Sequence, residues 1–234
     1  MDVAFMFLRR LGLDVRRLRK RPGITQFLAH RNVQVVYDIG ANVGQFGLAI
    51  RRRGYTGKIA SFEPVSFVYE ELKRLAQRDG NWEVARYAVG SENCATKINI
   101  SPNSQFSSIK PLGERSLTID PDSAFTSSET VEVRTLDNLV RANGLYFIKI
   151  DTQGFEREVI AGGAKALAGA TGVLLELPVI NIYDKVWSLH DAVGHMREIG
   201  FVPSQFEPVC HHQSDPMAAI EFDCLFRKTV PGVD

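Results

Sequence analysis

The chain has little that would make its fold depend on anything but a packed core. Three cysteines, Cys94, Cys210 and Cys224, are scattered through 234 residues, odd in number and without a C-x-x-C pair. That argues against a disulfide framework or a cysteine-based zinc site, and for a reducing compartment. Net charge is only +1, so no overall pull toward nucleic acid or an acidic surface is built in. No apolar run is long enough to span a bilayer. Neither an internal repeat nor a long low-complexity linker divides the chain. What is present is ordinary globular material, 44% hydrophobic and 24% charged, of a length that suits one domain better than two.

The N-terminus is the compositional outlier. "MDVAFMFLRRLGLDVRRLRKRPG" places a short apolar run before a cluster of arginines. A signal peptide has the opposite order. Residues 1–30 are read as a basic amphipathic helical extension to a domain over 31–234. In the first reading Phe5, Leu8, Leu11 and Val15 pack on the domain and the basic face is solvated. In the second, the helix docks weakly on anionic lipid. The localisation expected is cytoplasmic, with peripheral contact at the inner face of the membrane under the second reading.

Apolar runs alternate with amphipathic stretches, which predicts an α/β fold. Strands are expected at 33–40, 58–64, 82–90, 145–154 and 171–178, and helices at 44–54, 66–80, 155–169 and 188–200. Segments 201–209 and 219–228 read as a closing antiparallel pair. The result is a seven-stranded, mostly parallel sheet with an antiparallel edge and helices on both faces. Segments 95–101 and 130–140 alternate like antiparallel strands. The Ser-, Pro- and Asp-rich stretch between them exceeds an ordinary connection. It is read as an insertion at about 101–130 that covers the site.

"DIGANVG" (38–44) follows the first strand, where ligands bind in such sheets. A dinucleotide site prefers G-x-G-x-x-G, with a second glycine that lets the backbone touch a pyrophosphate. Asn42 stands at that second position, which weakens a nicotinamide reading. Glu63 ends the second strand about 20 residues on, where a carboxylate can accept from both ribose hydroxyls. Asp38 can meet a ligand ammonium. Ribose plus ammonium without phosphate describes S-adenosylmethionine. The cofactor residues expected are Asp38, Gly40, Ala41, Asn42, Gly44, Gln45, Phe46, Glu63, Pro64, Ala88, Val89 and Asp151. In the bland alternative the glycines only permit packing and Glu63 only caps the helix near Ser66.

The blocks "VVYDIGANVGQF", "SFEP", "NSQFSSIKP", "VRTLDNL", "FIKIDTQGFEREVIAGG" and "LLELP" resemble the FkbM family of S-adenosylmethionine-dependent methyltransferases. The resemblance runs from about Val35 to Lys228. It implies a Rossmann-like class I methyltransferase fold and O-methylation, commonly of a sugar, glycolipid or polyketide-type hydroxyl. Members often read K-I-D-x-E-G-x-E; this chain keeps Lys149, Asp151, Gly154 and Glu156 but has Gln153 where an acid is common.

An alcohol is a poor nucleophile at neutral pH, so a base or metal should help remove its proton. Asp151, at the end of the fourth strand, is the first candidate, Glu176 the second and His190 the third. In the bland alternative Asp151 caps the helix near Phe155 and Glu156 serves only that helix's dipole. Ser104, Phe106, Ser107, Ser108 and Tyr183 offer the hydroxyls and ring faces that suit a sugar acceptor, with Trp187 nearby. "CHH" at 210–212 supplies no second ligand cluster, and no metal site is expected.

Three rivals are weighed. A nucleic-acid methyltransferase would usually carry an N/D-P-P-Y-like element where this chain has "DTQG", and the near-zero charge offers no phosphate footprint; no nucleic-acid partner is expected. A dehydrogenase is disfavoured by Asn42. A catalytically silent cofactor-binding protein is disfavoured by the retention of Asp38, Gly40, Glu63 and Asp151.

Overall fold

The computed structural model describes residues 22–114, 116–141, 143–212 and 214–229. Of the N-terminal extension expected over 1–30, residues 1–21 lie outside them. Described structure begins with α1 (Ile24–His30), whose Leu28 is buried and whose Phe27 meets Phe147 edge-on at 5.6 Å.

The main sheet uses β1 (Val35–Ile39), β2 (Lys58–Phe62), β3 (Trp82–Ala85), β7 (Tyr146–Ile150), β8 (Gly172–Pro178), β9 (Phe201–His212) and β10 (Asp215–Lys228). Its order is β3-β2-β1-β7-β8-β10-β9. Every neighbouring pair is parallel except those of β10, which runs against both β8 and β9. The chain winds outward from β1 to β3 and returns to β7, so the switch in direction falls between β1 and β7. Register there sets Asp38 beside Lys149 and Ile39 beside Ile150. The ligand position expected for such a sheet is therefore the cleft beyond these two strand ends.

Helices cover both faces, namely α2 (Gln45–Arg52), α3 (Ser66–Ala76), α6 (Glu156–Ala161), α7 (Ala164–Gly169) and α8 (Leu189–Glu198). Alternation along β7 sends Phe147 into one core and Ile148 into the other. One core joins Ile148, Ile150, Val159, Leu175, Met196 and Phe226; the other joins Leu28, Val36, Ile50, Ile59, Leu72 and Phe147. Each such side chain, fully buried, contributes about 1.5–3 kcal/mol.

A second sheet has the order β4-β6-β5, from β4 (Ala88–Gly90), β5 (Cys94–Ile100) and β6 (Ser127–Thr135). β5 and β6 are the antiparallel pair expected in the middle of the chain. Between them lie two short turns of 3-10 helix and α4 (Ser116–Ile119).

Several expected boundaries move. The single strand at 82–90 is two, in different sheets, with Arg86 donating to the Pro64 carbonyl at the break. No glycine or proline marks that break in the sequence. The strand expected to reach 140 ends at Thr135 and turns into α5 (Leu136–Leu139). Asp137 there accepts from the Ala166 amide at 2.8 Å, capping α7. The helix expected over 155–169 breaks at Gly162–Gly163. A Cβ on Gly162 would lie 2.1 Å from the Gly90 carbonyl, so the backbones touch where the helix breaks.

Candidate active site

A cavity of about 1060 Å³ opens along the C-terminal ends of β1, β2, β7 and β8. The insertion roofs it through Asn103 to Ser107 and Ile109, while Gly23 to Gln26 and the β9 residues Gln205 and Glu207 close another side.

The glycine turn forms one wall. Gly40 has φ +73° and Asn42 φ +47°. A Cβ on Gly40 would lie 1.7 Å from the Asp151 carbonyl, so only glycine lets β1 and β7 meet here. Gly40 and Ala41 amides donate to the Phe62 carbonyl at 3.0 and 3.1 Å, tying the turn to β2. The Asn42 amide donates to Glu63 Oε2 at 2.9 Å, and the Asn42 side-chain oxygen accepts from Ser104 of the insertion at 3.1 Å.

Glu63 also accepts from the Val65 amide at 2.9 Å. Capping of α3 falls instead to Glu129, which takes the Ser66 amide at 2.6 Å and the Ser66 hydroxyl at 2.7 Å. Glu63 thus lines the cavity without serving as that cap. Burial pushes its carboxyl up to about 7, against the two backbone donors and Lys149 that hold it down.

The floor is ionic. Lys149 is buried in β7, and its Nζ donates to Asp151 Oδ2 at 3.0 Å and to the Gly40 carbonyl at 3.1 Å. It also stands 3.5 Å from Asp38 Oδ1. Burial alone would lower the lysine, but Asp151 and Asp38 outweigh it and raise it. Asp151 is held below its ordinary value: burial opposes ionisation, and Lys149 together with hydrogen bonds from Glu176 and Gln153 overcomes it. Glu176 is pushed well up by burial and by the Asp151 charge. Of these two carboxyls, Asp151 carries the charge and Glu176 the proton. The Gln153 amide nitrogen joins them, 2.9 Å from Asp151 Oδ1 and 2.7 Å from Glu176 Oε2.

Asp151 makes no cap of α6. That turn is held by Glu156 Oε1, which accepts from the Thr152 amide at 2.9 Å, the Thr152 hydroxyl at 3.1 Å and the Gly154 amide at 3.2 Å.

Of the residues singled out from sequence, Gly40, Ala41, Asn42, Gln45, Phe46, Glu63, Pro64, Ala88, Val89, Asp151 and Glu176 line the cavity. So do Ser104, Phe106 and Ser107 of the insertion. Five others do not. His190 lies on an exposed part of α8; its place at a helix start did not determine which way that turn faces. Gly44 instead makes room for the α3 and β3 side chains, a Cβ there meeting Leu75 at 2.8 Å and Leu72 at 3.0 Å. Asp38 is fully buried beneath Lys149, accepting from Ser61 at 3.2 Å, so it acts on the cavity through that lysine. Ser108 spends its hydroxyl on the Gln153 carbonyl at 2.6 Å. Tyr183 is buried behind the acids, beside a separate void of about 10 Å³. Trp187 packs on His195 at 5.3 Å.

Sequence reasoning missed Glu221 and Asp223, which line the cavity from β10. Their i, i+2 spacing on one strand face was the available signal. Among the described residues no group of three or more His, Cys, Asp or Glu side chains is arranged to hold a metal ion. No helix among them is long and apolar enough to cross a membrane.

The buried acids make stability depend on pH. Burial raises Glu63 to about 7, Glu221 to about 8 and Asp223 to about 6. The folded chain then holds protons that the unfolded chain has released, so stability falls as pH rises from about 4.5 through about 8. Thermal denaturation of the ligand-free protein should give a midpoint several degrees lower near pH ~8.5 than near pH ~5.5. A midpoint that climbs over this interval contradicts the assignment.

A family model described as "Methyltransferase FkbM domain" matches residues 38–203. No curated protein matches the chain by sequence. Among solved structures, methyltransferase FkbM from Methylobacillus flagellatus KT aligns with TM-score 0.54 and 16% identity, over 85% of this chain and 44% of its own. This chain therefore spans less than half of that structure. Magnesium protoporphyrin IX methyltransferase (ChlM) from Synechocystis PCC 6803, with SAM bound, aligns with TM-score 0.50 and 10% identity, over 97% of this chain and 92% of its own. TehB from Haemophilus influenzae aligns with TM-score 0.51 and 8% identity, over 96% and 66%. At such identities the likeness is one of fold.

Proposed function

We propose that this chain, which belongs to the FkbM methyltransferase family and takes S-adenosylmethionine as cofactor, methylates a hydroxyl oxygen of a sugar, glycolipid or polyketide-type acceptor. The observation that carries the reading is the Asp151 carboxylate, which lines the cavity beside the Gly40 turn with Lys149 Nζ 3.0 Å away.

The residues present fit the donor. The Gly40–Asn42 turn leaves room for close backbone approach, and Glu63 lines the cavity with lone pairs suited to ribose hydroxyls. When bound, S-adenosylmethionine supplies a methyl group already activated by its sulfonium, so the protein's task is alignment and removal of one proton. Asp151 accepts that proton from the acceptor hydroxyl, and Lys149 keeps the carboxylate ionised until then. Glu176, protonated, donates toward Asp151 rather than competing for the same proton. Ser104, Phe106 and Ser107 face the acceptor side, offering hydroxyls and an aromatic ring. The acceptor is a small molecule or glycan, without nucleic acid. The proposal includes action in the cytoplasm, with the basic N-terminal segment as a contact for anionic lipid.

Incubation with methyl-labelled S-adenosylmethionine and a panel of sugars, glycolipids and polyols tests the reading. An O-methyl product identified by NMR supports it; label appearing only on nitrogen or carbon acceptors contradicts it. Glu63→Gln should weaken S-adenosylmethionine binding about 10- to 100-fold, the loss of hydrogen bonds to a charged group. Binding to the wild-type protein should tighten as pH rises through about 7, as Glu63 ionises. Calorimetric titration across pH measures both.

A further inference from the structure

We infer that Gln153 is a positioning residue: its amide spans the Asp151 and Glu176 carboxyls and ties them to the insertion that roofs the cavity. The inference rests on the reading of Asp151 as the group that takes the acceptor's proton.

Gln153 has φ +54°, unusual for any residue but glycine. Four groups hold it there. Its two N–H bonds serve Asp151 Oδ1 at 2.9 Å and Glu176 Oε2 at 2.7 Å. Its amide oxygen accepts from the Tyr183 hydroxyl at 2.8 Å. Its backbone carbonyl accepts from Ser108 of the insertion at 2.6 Å. The Tyr183 hydroxyl also lies 3.1 Å from the carbonyl of Phe106, which roofs the cavity. The orientation of the amide follows from these partners. Turned over, its oxygen would face the Asp151 carboxylate.

An acid at this position would behave differently. Three carboxyls would adjoin, and a single acid proton can bridge only one pair. The amide supplies two donors at every pH, so the Asp151–Glu176 spacing does not depend on a third proton. Asp151 is thereby stabilised as the anion on its Oδ1 side while Lys149 holds Oδ2.

Other charged and titratable groups face this pair. They are Asp38 and Glu63 from β1 and the end of β2, Lys149 from β7, Glu156 from α6, Glu221 and Asp223 from β10, and Tyr183 from the loop after β8. All of them remain in a Gln153→Leu variant, so a change in Asp151 reports the lost amide.

The test is an NMR titration of the full chain, labelled with ¹³C at the aspartate and glutamate carboxyl carbons, without cofactor or acceptor. The Asp151 midpoint should move upward by on the order of one pH unit in Gln153→Leu. Tyr183→Phe, which loosens the amide, should move it the same way by less. An unchanged midpoint in folded Gln153→Leu overturns the inference. If that variant does not fold, Tyr183→Phe decides alone: an upward shift supports the role and no shift overturns it. The acid limb of kcat/KM should follow the same displacement, whereas a purely structural role would lower activity equally at every pH. Because the titration needs no methyl donor, a failure to find methyl transfer sinks the functional reading without touching this result.

Discussion

Gly40→Ala abolishes S-adenosylmethionine binding and destabilises the protein by at least about 3 kcal/mol, lowering its melting temperature by on the order of 10 °C. Two costs combine. A side chain at φ +73° costs about 1–2 kcal/mol by itself. The added Cβ would also sit 1.7 Å from the Asp151 carbonyl, which is backbone and cannot swing aside. Relief requires β1 and β7 to part at the place where Lys149 Nζ bridges the Gly40 carbonyl and Asp151. The turn, the lysine and Asp151 would shift together. Gly54→Ala is the control for backbone conformation alone, since Gly54 has φ +94° with open space around it. That variant should lose stability but keep binding. Calorimetry and thermal melts on both variants measure the difference, and normal cofactor binding by Gly40→Ala would show that the turn is not part of the site.

Asp151→Asn separates binding from chemistry. Asparagine keeps the shape but cannot take a proton, so turnover should fall about 10²- to 10⁴-fold. Cofactor affinity should change little, because the glycine turn and Glu63 are untouched. Lys149 retains the Gly40 carbonyl and Asp38 as partners, which keeps its charge compensated. Single-turnover kinetics with saturating donor would read the chemical step. Unchanged turnover would remove Asp151 from the mechanism.

The sheet was legible in the chain because its central strands are buried on both faces and therefore read as apolar runs. Lys149 interrupts one such run, and a buried lysine must be paired. The turn at Gly40 was legible as a sharp connection, but Gly44 was not separable from it. Only the packed structure shows that one glycine avoids the Asp151 carbonyl and the other Leu72 and Leu75. The break between β3 and β4 was hidden because no glycine or proline separates the two strands. The bridge from Asp151 through Gln153 to Glu176 and Tyr183 draws on β8 and the loop beyond it. No spacing along the chain encodes such a meeting. For the same reason Tyr183 read as part of the cavity wall but stands behind it.

The central claim is that the cavity beside Gly40 receives S-adenosylmethionine. Isothermal titration of the full chain with S-adenosylmethionine and, separately, with NADH tests it most directly. The account predicts micromolar binding of the first and none of the second. Binding of NADH, or of neither ligand, would contradict it.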